Sequence, residues 1–236
     1  MTFNIQFVRN TLPGVLAALP ITLYLTFVPV LAGAVIGFFL ALIRIRRIPV
    51  LSQLLSVYLS FFRSIPNLVI LFVAYYGLPK LINVLFYGGV RTVTSKSIGS
   101  LAPCMLVLIL HSSAFICEIV RGALASVDMR QLEAAHAIGM TKASAYLRII
   151  IPQAIIVALP NYFNFVLGAF MGTSVVFLIG VQDIMSVAKI AAEDGYTFVE
   201  AYVMVGAIYV IFSTAFSLLF GWIERMAKRR MGIIVS

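Results

Sequence analysis

The sequence predicts an all-α, polytopic membrane protein with five transmembrane helices, its N-terminus outside and its C-terminus cytoplasmic. Three observations carry this. Of 236 residues, 62% are hydrophobic and only 11% charged, far more apolar surface than one soluble core of this size can hide. The apolar residues fall into five stretches, each long enough to approach or exceed the ~20 residues a spanning helix needs. The basic residues lie between those stretches. The net charge of +9 therefore reads as topology signals, whereas a nucleic-acid partner would call for a concentrated basic face.

The stretches are roughly 12–43, 51–78, 98–120, 153–176 and 201–223. The first is too long for the apolar region of a signal peptide, and its basic cluster Arg44, Arg46, Arg47 follows the run instead of preceding it. Pro20 and Pro29 are expected to kink it, since each removes a helix hydrogen bond. In the second stretch Arg63 is expected to snorkel to the inner interface beside a bend at Pro66. The third holds both cysteines, Cys104 and Cys117. On a helix they stand ~20 Å apart, too far to bridge, and they read as small packing residues. With no internal repeat, low-complexity tract or soluble segment, residues 1–236 read as a single transmembrane domain.

Lysine and arginine set the orientation. With the N-terminus outside, the inner side holds Arg44, Arg46, Arg47, Arg63, Arg121, Arg130, Lys142, Arg148 and the cluster Arg225, Lys228, Arg229, Arg230: 12 of the 17. The outer side holds the other 5: Arg9, Lys80, Arg91, Lys96 and Lys189. Residues 79–97 and 177–200 become outer connections, the second carrying Asp183, Glu193, Asp194 and Glu200.

The longest cytoplasmic connection, 121–152, reads as two short helices. Asp128 suits an N-cap with Gln131 in capping-box position. Gly139 supplies a left-handed stop, and Thr141 can cap a second helix before Pro152 opens the fourth span. A bland loop has no need of two capped helices at the membrane surface; a docking element does.

Within that segment Glu133-Ala134-Ala135, Gly139, Ile149, Ile151 and Pro152 resemble the EAA loop of ATP-binding-cassette importer permeases. The pattern is E-A-A, two residues, an apolar residue and G, then I-x-L-P, and it departs only at Ile151. Phe62-Arg63-Ser64-Ile65-Pro66 with Tyr75-Tyr76-Gly77-Leu78-Pro79, and Ala114-Phe115 with Glu118 and Arg121-Gly122, are similar to further patterns of the histidine/glutamine-type permeases of polar amino-acid importers. Met171-Gly172-Thr173-Ser174 stands where that family commonly shows K-D-T-S. The resemblance implies a type I importer permease fold in a bacterial cytoplasmic membrane, moving amino acids by alternating access. It implies that 129–148 is a coupling element seated on an ATPase, with Glu133 a polar anchor and Ala134, Ala135 and Gly139 permitting close approach. The partners it implies are two ATPase subunits, a second permease of the same or related sequence, and an extracytoplasmic amino-acid-binding protein. No G-x-x-x-x-G-K-[ST] occurs in the chain; no cofactor is expected on it, and ATP with Mg belongs to the ATPase.

Polar residues at mid-membrane usually face a pathway. His111, Ser112 and Ser113 fall near the middle of the third span. Asn164, Gly172, Thr173 and Ser174 fall in the fourth. His111, Ser112, Asn164, Gly172, Thr173 and Ser174 are therefore the candidate substrate residues. Gly168 and Gly172 also spell G-x-x-x-G, and helix packing is the reading taken for that pair. Arg63, Pro66, Glu118 and Arg121 read as a gate or anchor, with Glu118 and Arg121 paired along one helix face. No residue is expected to be catalytic and none to bind a metal.

No carboxylate precedes Glu118 and none lies between Glu133 and Asp183. That weighs against an ion-coupled secondary transporter, which usually buries one at mid-membrane. The same scarcity, with no H-E-x-x-H and no metal-spaced cysteines, weighs against a membrane enzyme. A non-conducting assembly scaffold remains, to be separated by ATPase association and substrate-stimulated hydrolysis. The missing charge also favours a net-neutral amino acid or derivative, such as cystine or glutamine, over a cationic one.

Overall fold

Prolines mark some of the helix starts, as at Pro20 and Pro66. The computed structural model describes residues 3–230; the C-terminus, read as cytoplasmic, lies outside them. Helix α1 (Ile5–Ala17) opens on Asn4, whose side chain accepts the Phe7 N–H, and ends in a turn at Ala18. Helix α2 (Leu19–Ile45) follows with Pro20 in its first turn, where a missing N–H is harmless. Pro20 thus marks a junction between two helices, while Pro29 is carried inside α2.

The stretch 51–78 is two helices, α3 (Leu51–Ser64) and α4 (Asn67–Tyr87). The break is at Ile65, extended at φ −97° and ψ 133°, because the ring of Pro66 excludes the helical conformation from the residue before it. α4 then runs past residue 78 with Pro79 inside it and stops at Gly88, which is left-handed at φ 59°. Much of the expected outer connection 79–97 is therefore helical. Asn83 pins the remainder by accepting from Val93 N–H and donating to Val93 O. A single turn, α5 (Ser95–Ile98), carries a Thr94–Ser97 capping box.

Helix α6 (Leu101–Ser126) is the hub, packing on α2, α3, α4 and, further on, α9 (Ile151–Gly172). Its contact with α2 is the closest in the bundle. A Cβ on Gly33 would lie 2.5 Å from Ser112 Cβ, and one on Gly37 would lie 2.7 Å from Ser113 O. This G-x-x-x-G pair does the packing that sequence assigned to Gly168 and Gly172, where an added Cβ meets nothing within 4 Å. Cys104 and Cys117 are buried, unbridged core residues.

After α6 come α7 (Arg130–Ala137), α8 (Lys142–Ala145), a π-helical turn Tyr146–Ile150, α9, and a 3₁₀ stretch Thr173–Ile179. The expected outer connection 177–200 is no open loop. Helix α10 (Ile184–Glu193) buries Ile184, Ala188 and Ala192 against Val15 of α1 and Ala201, Met204 and Val205 of α11 (Phe198–Arg230). Among the described residues, five helical segments are long and apolar enough to cross a membrane: Ile5–Ile45, Asn67–Tyr87, Leu101–Ser126, Lys142–Ile179 and Phe198–Arg229. At most half of any span's most apolar window is buried in the chain, leaving wide apolar faces for lipid or a neighbouring subunit.

Candidate transport cavity and coupling segment

A cavity of about 550 Å³ opens between α2, α4, α6 and α9. One wall is a stripe of α9 at helical spacing: Asn161, Asn164, Phe165, Gly168 and Gly172. The facing wall is His111, Ser112 and Phe115 of α6, with Thr26 of α2 and Asn67 of α4 completing the polar set. His111, Phe115 and Phe165 form an aromatic shelf, with centroids 4.6 Å apart for His111–Phe115 and 5.5 Å for Phe115–Phe165. Among the described residues no carboxylate lines the cavity.

Four of the six candidate substrate residues meet here: His111, Ser112, Asn164 and Gly172. Thr173 and Ser174 do not. Thr173 is fully buried, donates to Phe170 O at 2.8 Å and pairs with the Tyr209 hydroxyl at 3.1 Å, facing α11. The reason is local: neighbouring residues of a helix point ~100° apart, so Thr173 leaves the face that Gly172 occupies, just where α9 passes into the 3₁₀ stretch. Sequence reading missed Asn67 and Asn161. The signal for Asn161 was its spacing from Asn164 and Gly168. Asn67 depends on the break at Pro66, which starts α4 at the cavity wall; its Oδ1 is buried without a hydrogen-bond partner.

One turn along α6 from Phe115, Glu118 gathers three arginines. Its pairing with Arg121 on the same helix is made by two hydrogen bonds, of 3.1 and 2.8 Å. Arg44 of α2 pairs with Glu118 Oε1, and Arg63 at the end of α3 stands 3.8 Å from Oε2. The pair expected along one helix is thus a cluster tying three helices together. Arg63 also lies 5.9 Å from the Phe115 ring centroid, which joins the cluster to the wall of the cavity.

In the connecting segment, Gly139 is left-handed at φ 84°. The Gly139 and Met140 N–H groups donate back to His136 O and Ala135 O at 2.9 and 3.0 Å, which closes α7. Thr141 caps α8 through Ser144 N–H as expected. The Asp128–Gln131 capping box does not form. Asp128 accepts from Arg130 N–H and the Arg130 guanidinium, which holds its carboxyl below the usual range. Gln131 instead exchanges hydrogen bonds with Gln153. Glu133, Ala134 and Gly139 are exposed, Ile138 is 79% exposed, and Ala135 is buried beneath them. From Lys142 the chain is helical without interruption to Gly172. The π turn lies just before Pro152, which has no N–H for the carbonyl four residues back; Ile151 N–H donates to Tyr146 O, and the Gln153 side chain donates to Ile149 O.

A short helix pair continuous with a cavity-lining helix marks a membrane protein in which movement at the surface is passed to an internal cavity. The chain belongs to the family of binding-protein-dependent transport system inner membrane components, whose pattern it matches over residues 33–231. It is 38% identical to the probable amino-acid permease protein YxeN of Bacillus subtilis, over 97% of each chain. To the L-cystine transport system permease protein TcyL of the same organism it is 34% identical, over 97% of this chain and 92% of that one. The crystal structure of an amino acid ABC transporter with histidines aligns at a TM-score of 0.83 and 32% identity, covering 96% of this chain and 100% of that one.

Proposed function

We propose that the chain is the membrane-spanning subunit of an ATP-driven amino-acid importer in a bacterial cytoplasmic membrane, N-terminus outside. It works as one of two permeases over two ATPase subunits, fed by an extracytoplasmic amino-acid-binding protein, and hydrolyses no ATP itself. The observation that carries this is mechanical. The exposed face of α7 is fixed to α8 and to Gln153, and α8 is continuous with the helix that presents Asn161, Asn164, Gly168 and Gly172 to the cavity. Movement imposed on 130–145 by an ATPase is delivered to the cavity wall. The Glu118 cluster floors that cavity toward the coupling side and serves as its inner gate.

The substrate is a net-neutral amino acid or derivative, cystine- or glutamine-like. Asn67 Oδ1, an acceptor without a partner, suits an α-ammonium. The N–H groups that open α4 beside it suit an α-carboxylate. The L-cystine system relative supports the class. The test is co-purification of the complex in mild detergent, followed by ATP hydrolysis with binding protein and a panel of amino acids. A chain that captures no ATPase, or whose partner ignores every amino acid, is the non-conducting scaffold instead.

A further inference from the structure

A second cavity, of about 440 Å³, lies on the coupling-segment side, walled by Phe38 and Leu42 of α2, Val120 and Leu124 of α6, and Ile155 and Ala158 of α9. Those walls are apolar side chains on helical segments long and apolar enough to cross a membrane, and Phe38 and Ile155 are 42% and 49% exposed. The rim is basic: Arg44, Arg47 and Arg121 border the cavity, and Arg46 and Lys142 border an adjoining pocket that shares Leu42, Ile45 and Tyr146 with it.

We propose that this groove holds one anionic phospholipid of the leaflet on the coupling-segment side, an acyl chain along α2 and α9 and the phosphate at Arg46 and Arg47. Length supports it. From the Arg46 cap of α2 to Phe38 the wall rises ~12 Å at 1.5 Å per residue, approaching half of a ~30 Å hydrocarbon core. Charge supports it as well. Glu118 balances one of its three arginines, while Arg46 and Arg47 form no ion pair among the described residues. Fixed cations above a hydrocarbon slot fit a phosphate carrying acyl chains. A second copy of this chain fits less well, because a twofold mate would bring its own Arg44–Arg47 cluster to the same depth. A water-soluble ATPase does not reach the apolar walls.

The test uses the whole complex reconstituted in vesicles of phosphatidylglycerol and phosphatidylethanolamine, then extracted gently for native mass spectrometry. Phosphatidylglycerol is expected to stay bound, one per permease chain, while phosphatidylethanolamine is lost. Arg46→Gln with Arg47→Gln is expected to cut retention about tenfold or more, and Ala158→Phe to abolish it by filling the slot. Equal retention of both lipids, or retention that neither variant lowers, overturns the proposal. A photo-crosslinking residue at position 38 in the otherwise native chain gives an answer even if the variants misfold. A lipid adduct supports the site; a protein adduct, to a second copy or to the ATPase, overturns it.

Discussion

Gln131 and Gln153 exchange side-chain hydrogen bonds, Gln153 Nε2 to Gln131 Oε1 at 2.6 Å and Gln131 Nε2 to Gln153 Oε1 at 3.3 Å. This is the cross-tie between α7 and the start of α9. A residue that local sequence logic assigns to a helix cap is spent on a joint instead. Gln131→Ala removes it without disturbing the helix, since alanine is the better helix former. The expected result is a complex that assembles and hydrolyses ATP at a near-normal rate but imports several-fold less substrate per ATP. Unchanged stoichiometry in proteoliposomes would leave the tie without a role in coupling.

The Glu118 cluster has an internal ranking that stability measurements can read. Glu118 is the shared partner, so Glu118→Gln leaves three guanidinium groups facing one another; breaking such a partly buried set costs on the order of 3 kcal/mol. Arg44→Gln is expected to cost less, since Arg121 still holds the carboxylate. Arg63, at 3.8 Å and 46% exposed, is worth ~1 kcal/mol at most. Thermal unfolding of Glu118→Gln, Arg44→Gln and Arg63→Gln in detergent checks the order. Three equal shifts would mean that the cluster is lost as a single unit, with no ranking among its arginines.

Asp183 caps α10 through Ser186 N–H at 2.9 Å, yet is wholly buried with Oδ2 unpartnered. Burial pushes its carboxyl up from 3.8 to about 6, against the opposing effect of the backbone N–H groups it accepts. Its folded pKa lies above its unfolded one, so its contribution favours folding at low pH and is lost as pH rises from about 4 through about 6. Asn also caps helices, so Asp183→Asn keeps the cap and removes the titration. The variant is expected to be more stable than the parent by ~2–3 kcal/mol at neutral pH, with the gap closing near pH 4. A difference that does not change between those pH values would show that the carboxylate does not titrate there.

The helices were legible because apolar runs long enough to span leave few alternatives, and Ile65-Pro66 announced a bend. What escaped depends on three-dimensional neighbours. Gly33–Gly37 and Gly168–Gly172 carry the same spacing, and only the partner helix tells packing from an open wall: Ser112 and Ser113 press on the first pair and nothing presses on the second. Thr173 adjoins Gly172 in sequence, but the ~100° step between neighbouring helix residues turns it to Tyr209. Arg44 and Glu118 stand 74 positions apart, beyond any local rule. The small residues of α10 hid a buried helix behind a segment that reads as a connection.

The cavity's missing charge makes the last prediction. A cationic side chain brought to mid-membrane loses its hydration and needs a fixed carboxylate, because an unpaired buried ion costs several kcal/mol. Asn67, Asn161, Asn164, Ser112 and His111 can hydrogen-bond a zwitterion but supply no negative charge. Neutral amino acids are therefore expected to outcompete arginine and lysine for uptake by vesicles carrying a homodimer of this chain. Gly172 offers the complementary experiment, because a side chain there enters open space on the cavity wall, where the family pattern K-D-T-S has its aspartate. Gly172→Asp is expected to raise competition by arginine about tenfold or more, the scale of one partly desolvated ion pair, while weakening transport of the neutral substrate. Arginine preferred by the unmodified homodimer would show that the carboxylate comes from outside this cavity, and that the neutral-substrate reading is wrong.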